Sequence, residues 1–149
     1  MTRGYDDILM DHIRHARNYR AMPDADQRIE AVNALCGDGI TLALKWQGDT
    51  IADVSFQCEC CGISMASSSA LTEHVIGRTR TEIVDLCTAF LARFDQSGVA
   101  EHEEDRMSAA QQALLGAARR YPGRARCASL AWRALRDALT TPPAEGDRP

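Results

Sequence analysis

The 149 residues are 45% apolar and 26% charged, a balance that fits one globular domain with one core, and no stretch reads as a linker between two cores. A net charge of −4 and a pI near 5.5 argue against a nucleic-acid binder. With neither a long apolar run nor a charged-then-apolar leader at Met1, the expectation is a cytoplasmic protein without membrane contact.

The elements follow in chain order. Tyr5, Ile8, Leu9, His12, Ile13 and Ala16 recur at helical spacing, which predicts an amphipathic helix ending near Asn18. His12 lies on its apolar stripe and reads as a satisfied, partly buried histidine. A short strand is expected over residues 29–33. Ile40, Leu42, Leu44 and Trp46 then alternate with Thr41, Ala43 and Lys45, Gly48-Asp49 punctuates, and Ala52, Val54 and Phe56 alternate again. That pattern is a β-hairpin with one buried face, and the short strand beside it completes a small antiparallel sheet.

Everything beyond the hairpin reads as helical. Residues 62–76 are rich in Ala and Ser, which permit close packing, and Gly77 fits the stop. Thr79 and Glu82 form a capping-box pattern ahead of a stripe of Ile83, Leu86, Cys87, Phe90, Leu91 and Phe94, which makes Cys87 a core thiol. A polar, acidic stretch over residues 97–105 leads to a helix carrying Met107, Ala110 and Leu114. Pro122-Gly123 interrupts, and Leu130, Ala131, Ala134, Leu135, Ala138 and Leu139 mark the last helix. Residues 141–149 read as a disordered tail, leaving residues 1–140 as a single domain. The fold class is therefore α+β, a three-stranded antiparallel sheet packed against about five helices. Residues 119–126, "RRYPGRAR", form a basic patch suited to an acidic protein partner.

Six cysteines in a chain with no export signal point to metal ligands or reactive thiols more than to disulfides. Three of them fall in "FQCECCGISMASSS". If the strand through Phe56 keeps its parity, Cys58 and Cys60 face the same side as Val54 and Phe56, while Cys61 sits at the start of the next helix. Cys127 is similarly placed early in the last helix. Cys36 lies in "NALCGDGI", in the turn entering the hairpin, with Gly37 loosening the backbone and Asp38 two residues on. Three thiolates and one carboxylate, from Cys36, Asp38, Cys61 and Cys127, suit a tetrahedral zinc shell. The competing reading makes Cys36 and Cys127 small buried residues and Asp38 a turn former.

"NALCGDGITL", "DVSFQCECCGISMASSSALTE" and "RCASLAWRAL" resemble, in order, the three cysteine motifs of the U-type iron–sulfur assembly proteins, the family of IscU, SufU and the N-terminal part of NifU. "MDHIRHARNYR" is similar to that family's first helix, so the resemblance runs from about Tyr5 to Leu139. The SufU branch fits best, through "GISMASSSALTE" and roughly 20 residues between Phe94 and Leu115 that resemble its insertion. The IscU chaperone motif is missing, and Arg126 stands where IscU proteins have histidine. The family usually has glycine where this chain has Cys58 and Cys60, a departure that turns the loop into a cluster of thiols.

The resemblance implies that Cys36, Cys61 and Cys127, with Asp38, bind zinc or a transient iron–sulfur cluster. It implies a sulfur acceptor working with a SufS-like cysteine desulfurase and with downstream iron–sulfur assembly proteins, Cys36 receiving the sulfur; Cys127, early in a helix beside Arg124 and Arg126, is the second choice. Two other readings stand beside it: a scaffold on which an iron–sulfur cluster is built, with Cys58 or Cys60 completing a four-thiol set, and an interaction protein with a structural zinc. The extra thiols are read as alternative ligands, a persulfide relay, a protective disulfide, or inert substitutions.

Overall fold

The computed structural model describes residues 5–33, 37–95 and 107–140. The elements are α1 (Tyr5–Arg14), β1 (Gln27–Asn33), β2 (Asp38–Gln47), β3 (Thr50–Glu59), α2 (Gly62–Val75), α3 (Arg80–Asp95), α4 (Ala109–Arg120), a 3₁₀ turn (Pro122–Arg124) and α5 (Ala125–Thr140). The sheet is antiparallel in the order β1-β2-β3, as its alternating pattern predicts. One face carries Ile29, Ile40, Leu42, Leu44, Val54 and Phe56 into the core. α5 packs against α2, α3 and α4 and also reaches β1, so its fully buried Trp132 sits at the centre of the helical layer. The Trp132 ring lies 4.5 Å from that of Phe90.

Two expectations are corrected. α1 stops at Arg14, not near Asn18. Ala16 still packs on the core, which prolongs the helical pattern, but Asn18 takes a left-handed φ of 62° and turns the chain alongside β3. There Phe56 N–H donates to Asn18 O at 3.0 Å and Arg20 N–H to Phe56 O at 3.2 Å, covering part of an otherwise open sheet edge. In β3, Ile51 is buried and Ala52 exposed, the reverse of the expected alternation. A β-bulge between Lys45 and Trp46 pairs Lys45 with Asp53 but Trp46 with Ile51, so Ala52 is the extra residue and parity switches across it.

The helix boundaries follow local chemistry. Gly77, at φ 84°, adopts a backbone that side chains resist, and its N–H donates to Ile51 O at 2.8 Å, tying the end of α2 to β3. The Thr79–Glu82 box opens α3 through Glu82 N–H to Thr79 Oγ1 at 3.2 Å and Thr79 N–H to Glu82 Oε1 at 2.9 Å. A second box, Ser108 with Gln111, opens α4. The expected acidic stretch over 97–105 and the tail over 141–149 lie outside the described residues.

Candidate metal centre

Three chain segments deliver the site. Asp38 opens β2, Cys61 is the N-cap of α2, and Cys127 lies in the first turn of α5. Asp38 follows Gly37, whose φ of +75° and N–H bond to Asn33 O at 2.8 Å turn the chain from β1 back into β2. Cys61 follows β3 by two residues, at the point where the extended backbone gives way to helix. Potential ligand atoms of Asp38, Cys61 and Cys127 all lie within 4.8 Å of one another. Asp38 is 4% and Cys127 1% exposed, and Cys61 is half-buried.

The carboxylate is held from two sides. Cys61 N–H donates to Asp38 Oδ1 at 3.1 Å, and Ser64 Oγ–H to Oδ2 at 2.6 Å. Cys61 Sγ lies 3.6 Å from Asp38 Oδ2 and 3.8 Å from Ser64 Oγ. Ser64 Oγ is also 3.2 Å from the Cys127 carbonyl, so one buried hydroxyl touches all three residues. Two helix N-termini meet here, and the positive ends of their dipoles offset the negative charge of such a donor set. Two sulfurs and a carboxylate oxygen at this spacing fit the sulfur and oxygen donors that the borderline Zn²⁺ ion takes. Cys36, named with them from the sequence, lies outside the described residues.

The remaining cysteines separate cleanly. Cys87 is fully buried, and burial pushes its thiol up to about 12. Cys58 and Cys60 are joined in a disulfide with Cα atoms 5.5 Å apart, both half-buried at the end of β3. Ser64 was not anticipated from the sequence; its position three residues after the capping Cys61 is the signal that finds it. Ser67 belongs to the same face of α2, accepting from Trp132 Nε1 at 2.9 Å and donating to the Ala128 carbonyl.

Fold and site together define a class of small α+β domain in which a short sheet and two helix N-termini converge thiols and a carboxylate on one point. The chain belongs to the NifU-like N-terminal domain family, whose model matches residues 4–140. It is 32% identical over 131 residues to the zinc-dependent sulfurtransferase SufU of Bacillus subtilis, covering 88% of this chain and 86% of that protein. It is likewise 32% identical over 133 residues to the iron–sulfur cluster assembly scaffold protein IscU of Streptococcus pyogenes, covering 89% of this chain and 80% of the relative. Among solved structures, a SUF-system scaffold protein from Fervidobacterium islandicum superposes with a TM-score of 0.78 at 27% identity, over 90% of this chain and 95% of that one. No helix among the described residues is long and apolar enough to cross a membrane.

Proposed function

We propose that the chain serves iron–sulfur cluster assembly as a zinc-dependent sulfur-transfer protein. It takes sulfane sulfur from a SufS-like cysteine desulfurase and hands it to downstream assembly proteins in the cytoplasm, with no nucleic-acid or membrane partner. The observation that carries this reading is the convergence of Asp38, Cys61 and Cys127 within 4.8 Å. The SufU relative supports it. In this reading Cys36 is the fourth ligand and the first sulfur acceptor, with Cys127 second.

Bound zinc supplies a redox-inert positive charge that keeps the thiols of the set deprotonated and shielded. The chain's own residues do the rest. Asp38 accepts hydrogen bonds from Cys61 N–H and Ser64, so its carboxylate would stay satisfied while a thiol of the set is freed. The released thiolate attacks the outer sulfur of the desulfurase persulfide. That S–S bond breaks, the sulfur leaves as the acceptor's persulfide, and the desulfurase thiolate departs with the electron pair.

The second reading, a scaffold with an iron–sulfur cluster as cargo, is favoured by the IscU relative. Metal analysis and a visible spectrum on anaerobically purified protein separate the two. About one zinc per chain and a colourless protein is the expected result. A brown protein after reconstitution with iron and sulfide supports the scaffold. Full zinc retained by Cys61→Ser overturns the ligand set.

A further inference from the structure

We propose that Cys58 and Cys60 form a two-electron dithiol–disulfide couple that reduces sulfane sulfur held on the neighbouring Cys61 to sulfide. This rests on the sulfur-transfer reading above and extends it from accepting sulfur to releasing it: sulfur taken up by the first acceptor passes to Cys61 by thiolate attack on its outer sulfur, the first acceptor leaving as thiolate.

Three observations carry the inference. The two sulfurs are bonded to each other, so the fold brings them to contact without help from another segment. They are reachable: both residues are half-buried, and Cys58 lines an open groove with Tyr19, Gly39, Thr41, Gln57 and Glu59. They are continuous with the candidate metal centre, since Cys60 is joined by one peptide bond to Cys61, whose Sγ lies 3.6 Å from the Asp38 carboxylate. Cys87, buried and with its thiol pushed up to about 12, shows by contrast what a thiol without such a role looks like in this fold.

The step balances within the chain. With the pair reduced, one thiolate attacks the outer sulfur of the Cys61 persulfide, releasing the Cys61 thiolate and placing the persulfide on the pair. The second thiolate then attacks the inner sulfur of that persulfide, closing the Cys58–Cys60 disulfide and expelling HS⁻. The sulfane sulfur is reduced by two electrons, and the two thiolates supply them. The structure corresponds to the product of this step. A dithiol from outside, reaching the pair through the groove, returns it to the reduced form by ordinary exchange.

The test begins with full-length protein reduced by dithiothreitol, freed of reductant anaerobically and mixed with one equivalent of inorganic polysulfide. Sulfide and the position of every added sulfur are then read by colorimetry and thiol-trapping mass spectrometry. The expectation is about one sulfide per chain beyond that expelled when polysulfide loads the acceptor thiol, together with a Cys58–Cys60 disulfide, and a fall of roughly tenfold or more in that excess for Cys58→Ser, Cys60→Ser and the double variant. In the double variant the added sulfur is expected to remain on Cys61. Equal sulfide from wild type and double variant overturns the couple, as does wild type that releases sulfide beyond the loading background without forming the disulfide. Added sulfur found only on cysteines other than Cys61 overturns the assigned donor. A parallel arm with desulfurase and cysteine keeps the two readings apart: no sulfur on any cysteine there, with the polysulfide arm intact, removes the proposed sulfur transfer from a desulfurase and leaves the couple standing.

Discussion

Ser64 shows how one hydroxyl sets the geometry of a site it does not ligate. It binds the Asp38 carboxylate at 2.6 Å and lies 3.2 Å from the Cys127 carbonyl, fixing the carboxylate between β2 and α5. Groups that orient metal ligands in this way alter affinity more than stoichiometry, so Ser64→Ala is expected to keep one zinc but bind it about 10- to 100-fold more weakly. Competition with a chromophoric chelator measures this; unchanged affinity removes Ser64 from the site. His12 plays no part in that chemistry. Its Nδ1 lies 2.8 Å from Ser69 Oγ, which itself accepts from Arg17 N–H at 2.8 Å, and its Nε2 faces Glu73 at 3.8 Å. Burial, followed by the Arg17 charge, holds His12 below the ordinary 6.5, against weaker opposing effects of Glu73 and Asp11; His74 adds to the lowering. Because the folded state resists protonation more than the unfolded one, the stability from neutral His12 is complete above about 6.5 and declines as pH falls from there toward the lowered folded value. Urea midpoints at pH 7.5 and 5 are expected to differ less in His12→Gln than in wild type; an equal difference assigns the acid sensitivity elsewhere.

At the scale of elements, the two capping boxes make a controlled comparison. The Thr79–Glu82 box is exposed, whereas Ser108 accepts from Gln111 N–H at 3.1 Å and also meets His74 Nε2 at 2.8 Å, in a half-buried setting. Since His74 Nδ1 faces the Ala70 carbonyl at 2.6 Å, Nδ1 carries the proton and Nε2 accepts from Ser108. Ser108→Ala should therefore cost about 1–2 kcal/mol and Thr79→Ala roughly 0.5 kcal/mol in chemical denaturation. Equal costs exclude a contribution from the histidine bond. Both boxes are spelled in the sequence as S/T-x-x-E/Q, yet only the first announces itself through a clean apolar stripe behind it. The same contrast governs the rest of the fold. Hydrophobic alternation made the hairpin legible, but nothing in local composition marks the bulge after Lys45, because a bulge is a relation between two strands. The pattern overruns the end of α1 because Ala16 serves the core from a turn as well as it would from a helix. In the site, Asp38, Cys61 and Cys127 were legible as chemistry-bearing residues next to turns and helix starts. In the sequence Ser64 and Ser67 show only as small residues for close packing, since their bonds reach across to β2 and α5.

At the scale of the whole molecule, the candidate centre is a cross-link. Asp38, Cys61 and Cys127 come from the start of the sheet, the entry to α2 and the entry to α5, so a metal there joins three segments that the core alone must otherwise hold together. Asp38 also accepts hydrogen bonds from Cys61 N–H and Ser64, and Trp132, Phe90 and Leu71 belong to a core built of side chains alone. With a buried core of this extent, the chain is expected to differ from domains whose folding energy is their metal-binding energy. Chelation is therefore expected to lower the melting temperature while leaving a single cooperative transition. At free zinc about 1,000-fold above Kd the loss is about 4 kcal/mol, which for a chain of this length amounts to roughly 10–15 °C. Scanning calorimetry with and without chelator reads it. Asp38→Asn weakens a ligand while preserving much of the hydrogen bonding, so it should shrink the zinc-dependent difference more than it lowers the metal-free melting temperature. Loss of the cooperative transition on chelation would instead make the zinc structural, and a melting temperature unmoved by verified zinc removal would show that the three segments are not joined through this cluster.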